Sequence, residues 1–196
     1  MKKGLLIALV ILFAVGLILF FWRESVSDEK GEEIATWREY ALYANASDYE
    51  KKLFEQLDDE QEEEELAKLI FKLFVANFYS LDLATSNSDV RGVQFVYEPF
   101  QEDFVKQARE TVYERVGSNI FASQREELPM VVEVEIHSVE ESSFLINEVD
   151  ETFDSYVFRG ELFYDQDPEY EKELEVELII NDERFDVVRM DTYLTN

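Results

Sequence analysis

Cysteine is absent from the sequence, so the chain has no disulfide, no thiolate metal site, no thiol nucleophile and no cysteine to carry a lipid. A single histidine, with no G-x-G-x-x-G and no P-loop, removes most familiar catalytic kits as well. Basic residues are scarce: 18 Lys plus Arg stand against 45 Asp plus Glu, a formal charge of -27. A surface of that sign repels phosphates, which argues against DNA, RNA and anionic lipid head groups as partners. What is present is a core. Of the 196 residues, 46% are hydrophobic and 14% aromatic, too rich in Phe and Tyr for a disordered acidic tail. The length suits one domain beside an anchor and a helical stalk.

From Gly4 to Trp22 no side chain is charged or strongly polar. As a helix rising about 1.5 Å per residue, this run is roughly 28 Å long and matches the hydrocarbon thickness of a bilayer. Lys2 and Lys3 precede it, whereas Glu24, Asp28, Glu29, Glu32 and Glu33 follow Arg23 closely. The positive-inside rule therefore expects a single-pass protein of the cell membrane, with a cytoplasmic N-terminus at residues 1–3 and an extracytoplasmic C-terminal domain. A cleaved signal peptide is the competing reading, but the run ends in Phe20, Phe21 and Trp22 instead of small residues. All 45 acidic groups fall beyond it, so the exported part is more acidic than the headline charge.

Residues 23–31 read as a polar juxtamembrane linker, 32–58 as helical stalk or N-terminal helices, and 59–196 as an α+β domain. Ile34, Trp37, Ala41 and Ala44 recur at helical spacing over Glu32 to Asn45. Ser47 or Asp48 is a suitable cap for a second helix carrying Tyr49, Leu53, Phe54 and Leu57. Leu66, Leu69, Ile70, Leu73, Phe74, Asn77 and Phe78 form the strongest amphipathic pattern, ending near Leu81. Asn87 to Gly92 mark a loop, and Val93, Phe95 and Tyr97 a short strand or extended entry segment. Pro99 then opens a helix with Phe100, Phe104, Ala108, Val112 and Val116 on one stripe and Gly117 as its C-terminal cap.

Beyond Gly117 the period drops from 3.6 to 2. Val132, Val134 and Ile136 alternate with Glu133, Glu135 and His137. Glu140 to Ser143 read as a turn, with a further short strand at Phe144 and Ile146. Longer strands run over Tyr156 to Tyr164, Leu174 to Ile180 and Phe185 to Leu194. Such strands, linked by short polar turns, make an antiparallel meander with one apolar and one solvated face.

Helices first and a curved antiparallel sheet after them give an α+β plan with the helices on one face of the sheet. The order of elements from Leu66 to Tyr193 resembles the NTF2-like (cystatin-like cone) superfamily. With an N-terminal anchor it further resembles the VirB8-like and TcpC-like assembly components of type IV secretion and conjugation systems. The resemblance rests on element order across most of residues 60–196, carries no site residues, and implies a partner-binding module that contacts other envelope proteins or a second copy of itself.

Candidate site residues are few. Strand parity sets Arg189 and Asp191 beside Phe185, Val187 and Tyr193 on the apolar face, where with Tyr156 they are candidates to line a cavity; a bulge would shift that parity. His137 falls among glutamates on the polar face and is a weak candidate for a pocket acid or base. Asp165, Asp167, Glu169 and Glu171 surround Pro168 but lack the spacing of an EF-hand. Asn45-Ala46-Ser47 matches the N-glycosylation triplet. The expectation is a non-catalytic bitopic protein, without cofactor or metal, that assembles with envelope proteins through its exported domain. A small-ligand-binding or sensory domain is the alternative.

Overall fold

The computed structural model describes residues 40–57, 62–121, 127–166, 172–182 and 184–192. The chain divides into two units, Met1–Thr36 and Trp37–Asn196, and every described residue belongs to the second. The membrane helix over 4–22, the linker over 23–31 and the first part of the helix over 32–45 lie outside the described residues. Among the described residues, no helix is long and apolar enough to cross a membrane.

Where the expected helix over 32–45 reaches the described residues, from Tyr40 onward, the backbone is not helical. Its polar groups are satisfied elsewhere: the Ala41 N–H donates to Gln94 Oε1 and the Ala41 carbonyl accepts from Gln94 Nε2, at 2.8 and 2.9 Å. A backbone whose hydrogen bonds are met by a distant side chain gains nothing from coiling. Helix α1, Asp48–Gln56, then starts on Ser47 with a full capping box, the Ser47 hydroxyl accepting from the Glu50 N–H while the Glu50 carboxylate accepts from the Ser47 N–H.

Helix α2, Glu63–Tyr79, opens on three glutamates that favour the positive end of its dipole. It buries most of its length, Phe71 and Phe74 fully. Phe71 stacks on Phe158 of the sheet at 4.9 Å, and Leu53 of α1 and Tyr40 join the same core. Burying side chains of this size contributes about 1.5 to 3 kcal/mol each.

The sheet has four antiparallel strands in the order β1-β2-β3-β4: β1 Val131–Ile146, β2 Glu151–Tyr164, β3 Glu173–Asn181 and β4 Arg184–Thr192. The α+β arrangement, with helices packed on an antiparallel sheet, is the one expected. Two details differ. Glu140 to Ser143 are not a turn but the middle of β1, paired residue by residue with Val157 to Asp154 of β2. The reversal comes instead at residues 147–150, where Asp150 takes the left-handed conformation that Asp tolerates. In addition, register shifts leave Val132 and His137 as extra residues in β1 and Val188 in β4. The first rotates Val132, expected inward, out to 42% exposure.

Gly160 marks the closest approach within this packing. A Cβ there would stand 2.4 Å from the Glu135 carbonyl oxygen and 3.2 Å from the Phe71 ring, so the glycine lets α2 lie directly on the sheet.

The expected helix over Pro99 to Val116 is two. Helix α3, Gln101–Glu110, ends at Thr111, and α4, Glu114–Phe121, begins after a turn. Tyr113 causes the break: it is fully buried, and its hydroxyl accepts from the Arg91 N–H and donates to the Phe78 carbonyl. Holding that ring in the core redirects the chain, and the Tyr113 N–H bonds back to Ala108. Gly117 therefore sits inside α4, against the Asn87 side chain. Likewise Val93 to Tyr97 is not a strand but a 3-10 turn, Val93–Phe95, followed by one parallel bridge from Val96 to Val187.

Candidate functional site

A cleft of about 270 Å³ opens between α3 and the outer edge of β4. Its inner wall follows from the aromatic stripe of α3: the Phe104 ring lies 5.0 Å from Phe78 and 6.0 Å from Phe74, anchoring the helix to α2. Val96, Phe100, Val112, Val187 and Met190 supply the rest of the apolar surface. Asp103, Gln107 and Thr111, all exposed on or next to α3, stand around it. Because the chain turns at Thr111 to seat Tyr113, α3 ends beside the cleft. The cleft is apolar within and polar at the rim, the composition of a binding surface.

Arg189 borders this cleft, but its guanidinium turns the other way. The extra residue Val188 pairs Arg189 with Glu177, while Val187 pairs with Leu178. Arg189 and Asp191 thus leave the face of Phe185 and Val187, a correction to the parity read from strict alternation. On that outer face an ion-pair ladder crosses all four strands. Glu140 meets Arg159 at 2.9 Å, Arg159 meets Glu175 at 2.8 Å, and Glu175 meets Arg189 at 2.8 Å. Arg189 also reaches Glu177 at 3.3 Å and Asp191 at 3.5 Å. The hydrogen bond and charge of Glu175 hold the Arg159 pKa above its ordinary value. Exposed pairs of this kind add little to stability, because water and salt screen them.

Tyr156 lies beneath α2, not in the cleft. Its hydroxyl donates to Glu63 Oε1 at 3.0 Å, and burial, followed by that bond, pushes its pKa up to about 12. Tyr193 lies outside the described residues. His137, the extra residue of a β1 bulge, is 39% exposed, with Nε2 3.8 Å from Glu161 Oε2. The four described candidates, Arg189, Asp191, Tyr156 and His137, do not converge on one site.

Asp165 is the described member of the acidic loop, and its carboxylate accepts from the Met130 N–H; Asp167, Glu169 and Glu171 lie outside the described residues. Among the described residues, no three acidic or histidine side chains are grouped to hold a metal ion. The amide of Asn45, the candidate glycosylation site, donates to the Leu83 carbonyl at 2.7 Å and accepts from Arg91 at 2.8 Å.

Sequence reading missed the buried charges. Arg91 is 1% exposed and bonds Glu50, Asn45 and the face of Tyr43, whose ring lies 4.3 Å from the guanidinium carbon. Burial raises the pKa of Tyr43, and raises that of Tyr113 further. Glu177 and Asp186, both 3% exposed, are held by Ser155 with Arg189 and by Asn181 with Arg184. The Ser47-x-x-Glu50 box was a signal for Glu50; nothing in the pattern singled out Arg91.

Compared with known proteins, the chain matches no family profile, no curated protein and no solved structure.

Proposed function

We propose that this is a non-catalytic, single-pass membrane protein whose extracytoplasmic α+β domain, of the NTF2-like type, is an interaction module of a bacterial envelope complex such as a secretion or conjugation assembly. The observation that carries the reading is the pairing of one uncharged, bilayer-length run, Gly4 to Trp22, with a single folded α+β unit bearing an open apolar cleft. Support also comes from the strongly buried carboxylates of that unit, which are tied to arginines and so serve as structural ions. The domain binds through surfaces, as a module tethered beside its partners, and self-association is one form this takes.

Two measurements test it. Reporter fusions at each end of the chain should place the N-terminus in the cytosol and the domain outside. Cross-linking in cells, with the mass of the detergent-solubilised full chain, should reveal neighbours or an oligomer; a strict monomer without neighbours would sink the proposal.

The cleft favours a second reading, a tethered small-ligand-binding or sensory domain. Apolar small molecules should then raise the unfolding temperature of the protein, and Gln107→Trp, placed at the rim, should abolish the rise.

A further inference from the structure

We infer that the cleft between α3 and β4 takes an extended polypeptide segment of a partner, with one bulky apolar side chain as anchor and lysine or arginine on either side; this rests on the interaction-module reading above. Three observations converge on that occupant. The first is size. At about 270 Å³, open on one side, the cleft has room for the anchor side chain of a polypeptide.

The second is the strand beside it. Val96 bridges Val187 in parallel, and the Tyr97 N–H donates to the Val187 carbonyl at 3.0 Å, after which the chain leaves the edge through Glu98–Phe100. Among the described residues no strand continues that ladder along Val188 to Thr192, and Val188, Arg189 and Met190 of this edge also line the cleft. Edge backbone that no described strand pairs with and an apolar recess on one border are the two parts of strand addition: main-chain hydrogen bonds for affinity and a recess for one side chain.

The third is charge. The first turn of α3 and the residues leading to it present Glu98, Glu102 and Asp103, all exposed, with Asp103 on the rim. The chain as a whole carries -27. Basic flanks are attracted over a distance and acidic ones repelled, so charge selects the partner while the anchor supplies the contact.

The test uses the full-length protein in nanodiscs of zwitterionic lipid, with empty discs as control. The probe is a fluorescent, end-blocked peptide with a central phenylalanine between two valines and a pair of lysines at each end. Fluorescence anisotropy should show saturable binding that weakens as salt shortens the screening length. Replacing the phenylalanine by alanine, replacing the lysines by glutamates, and the variant Gln107→Trp should each weaken binding about tenfold or more, whereas Glu133→Trp on β1 should leave it unchanged. Absence of saturable binding, or binding indifferent to Gln107→Trp, would overturn the inference. A protein that cross-links to neighbours in cells yet ignores the peptide keeps its assembly role and loses this site; a strict monomer that ignores it loses both.

Discussion

Arg91 and Glu50 meet at 2.9 Å with their side chains 1% and 0% exposed, joining the loop before Val93 to the first turn of α1. Two charges taken out of water at this depth persist because each is hydrogen-bonded further. Glu50 closes the capping box, and Arg91 holds Asn45. Removing one partner strands the other. Arg91→Ala and Glu50→Ala should each destabilise the domain by about 3 to 5 kcal/mol, read from the midpoint of urea unfolding. A double replacement by apolar residues should cost less than the sum of the two.

Gly160→Ala should be severely destabilising for a steric reason, since the new methyl would meet the Glu135 carbonyl, and a backbone atom cannot rotate away. Overpacking of this kind costs about 1 to 3 kcal/mol or more. Circular dichroism melts would show it, and a variant as stable as the parent would refute the close approach.

Deleting Val188 should remove the bulge and place Arg189 directly after Val187, so that strict alternation keeps Arg189 and Asp191 on the outer face beside Glu175 and Glu177. No charge is buried by that change, so the deletion should be tolerated; a loss of several kcal/mol relative to Val188→Ala, which keeps the extra residue, would show that the bulge itself holds the edge. Comparing unfolding of the two variants separates register from side-chain packing.

Alkaline pH should weaken the fold through its buried phenols. Burial raises the pKa of Tyr156 to about 12, and those of Tyr43, Tyr49 and Tyr113 also rise above the ordinary 10.0. The folded state therefore holds these protons more tightly than the unfolded chain. The contribution of Tyr156 is complete below pH about 10 and is lost as pH climbs through about 12, and those of the other three are lost above pH about 10 as pH passes their raised pKa values. Stability followed by denaturant titration should fall across that window, and Tyr156→Phe should flatten part of the fall.

The legibility of the sequence divides along physical lines. Hydrophobic period reports burial over many residues, so the long α2 stripe and the β meander were readable from Leu66 to Phe78 and from Tyr156 to Tyr164. Single residues that interrupt a period are invisible to it. Tyr113 looks like one more member of the α3 stripe, yet its hydroxyl contacts to Arg91 and Phe78 split that helix in two. Val188 looks like an ordinary strand residue, yet as a bulge it moved two candidate cavity residues to the other face. The cleft itself needed both departures, the early end of α3 and the one-bridge contact of Val96, and neither has a local pattern.

The segment from Tyr40 to Ser47 also determines how the domain meets mechanical load. Any tension transmitted along the chain from its N-terminal side first reaches the described fold there. Tyr40 bonds the Phe185 carbonyl and stacks on Phe95, Ala41 is clamped by Gln94, and Asn45 joins Leu83 and Arg91. These attachments lie on separate elements, so a pull on the entry would load several contacts at once and not a single hydrogen bond.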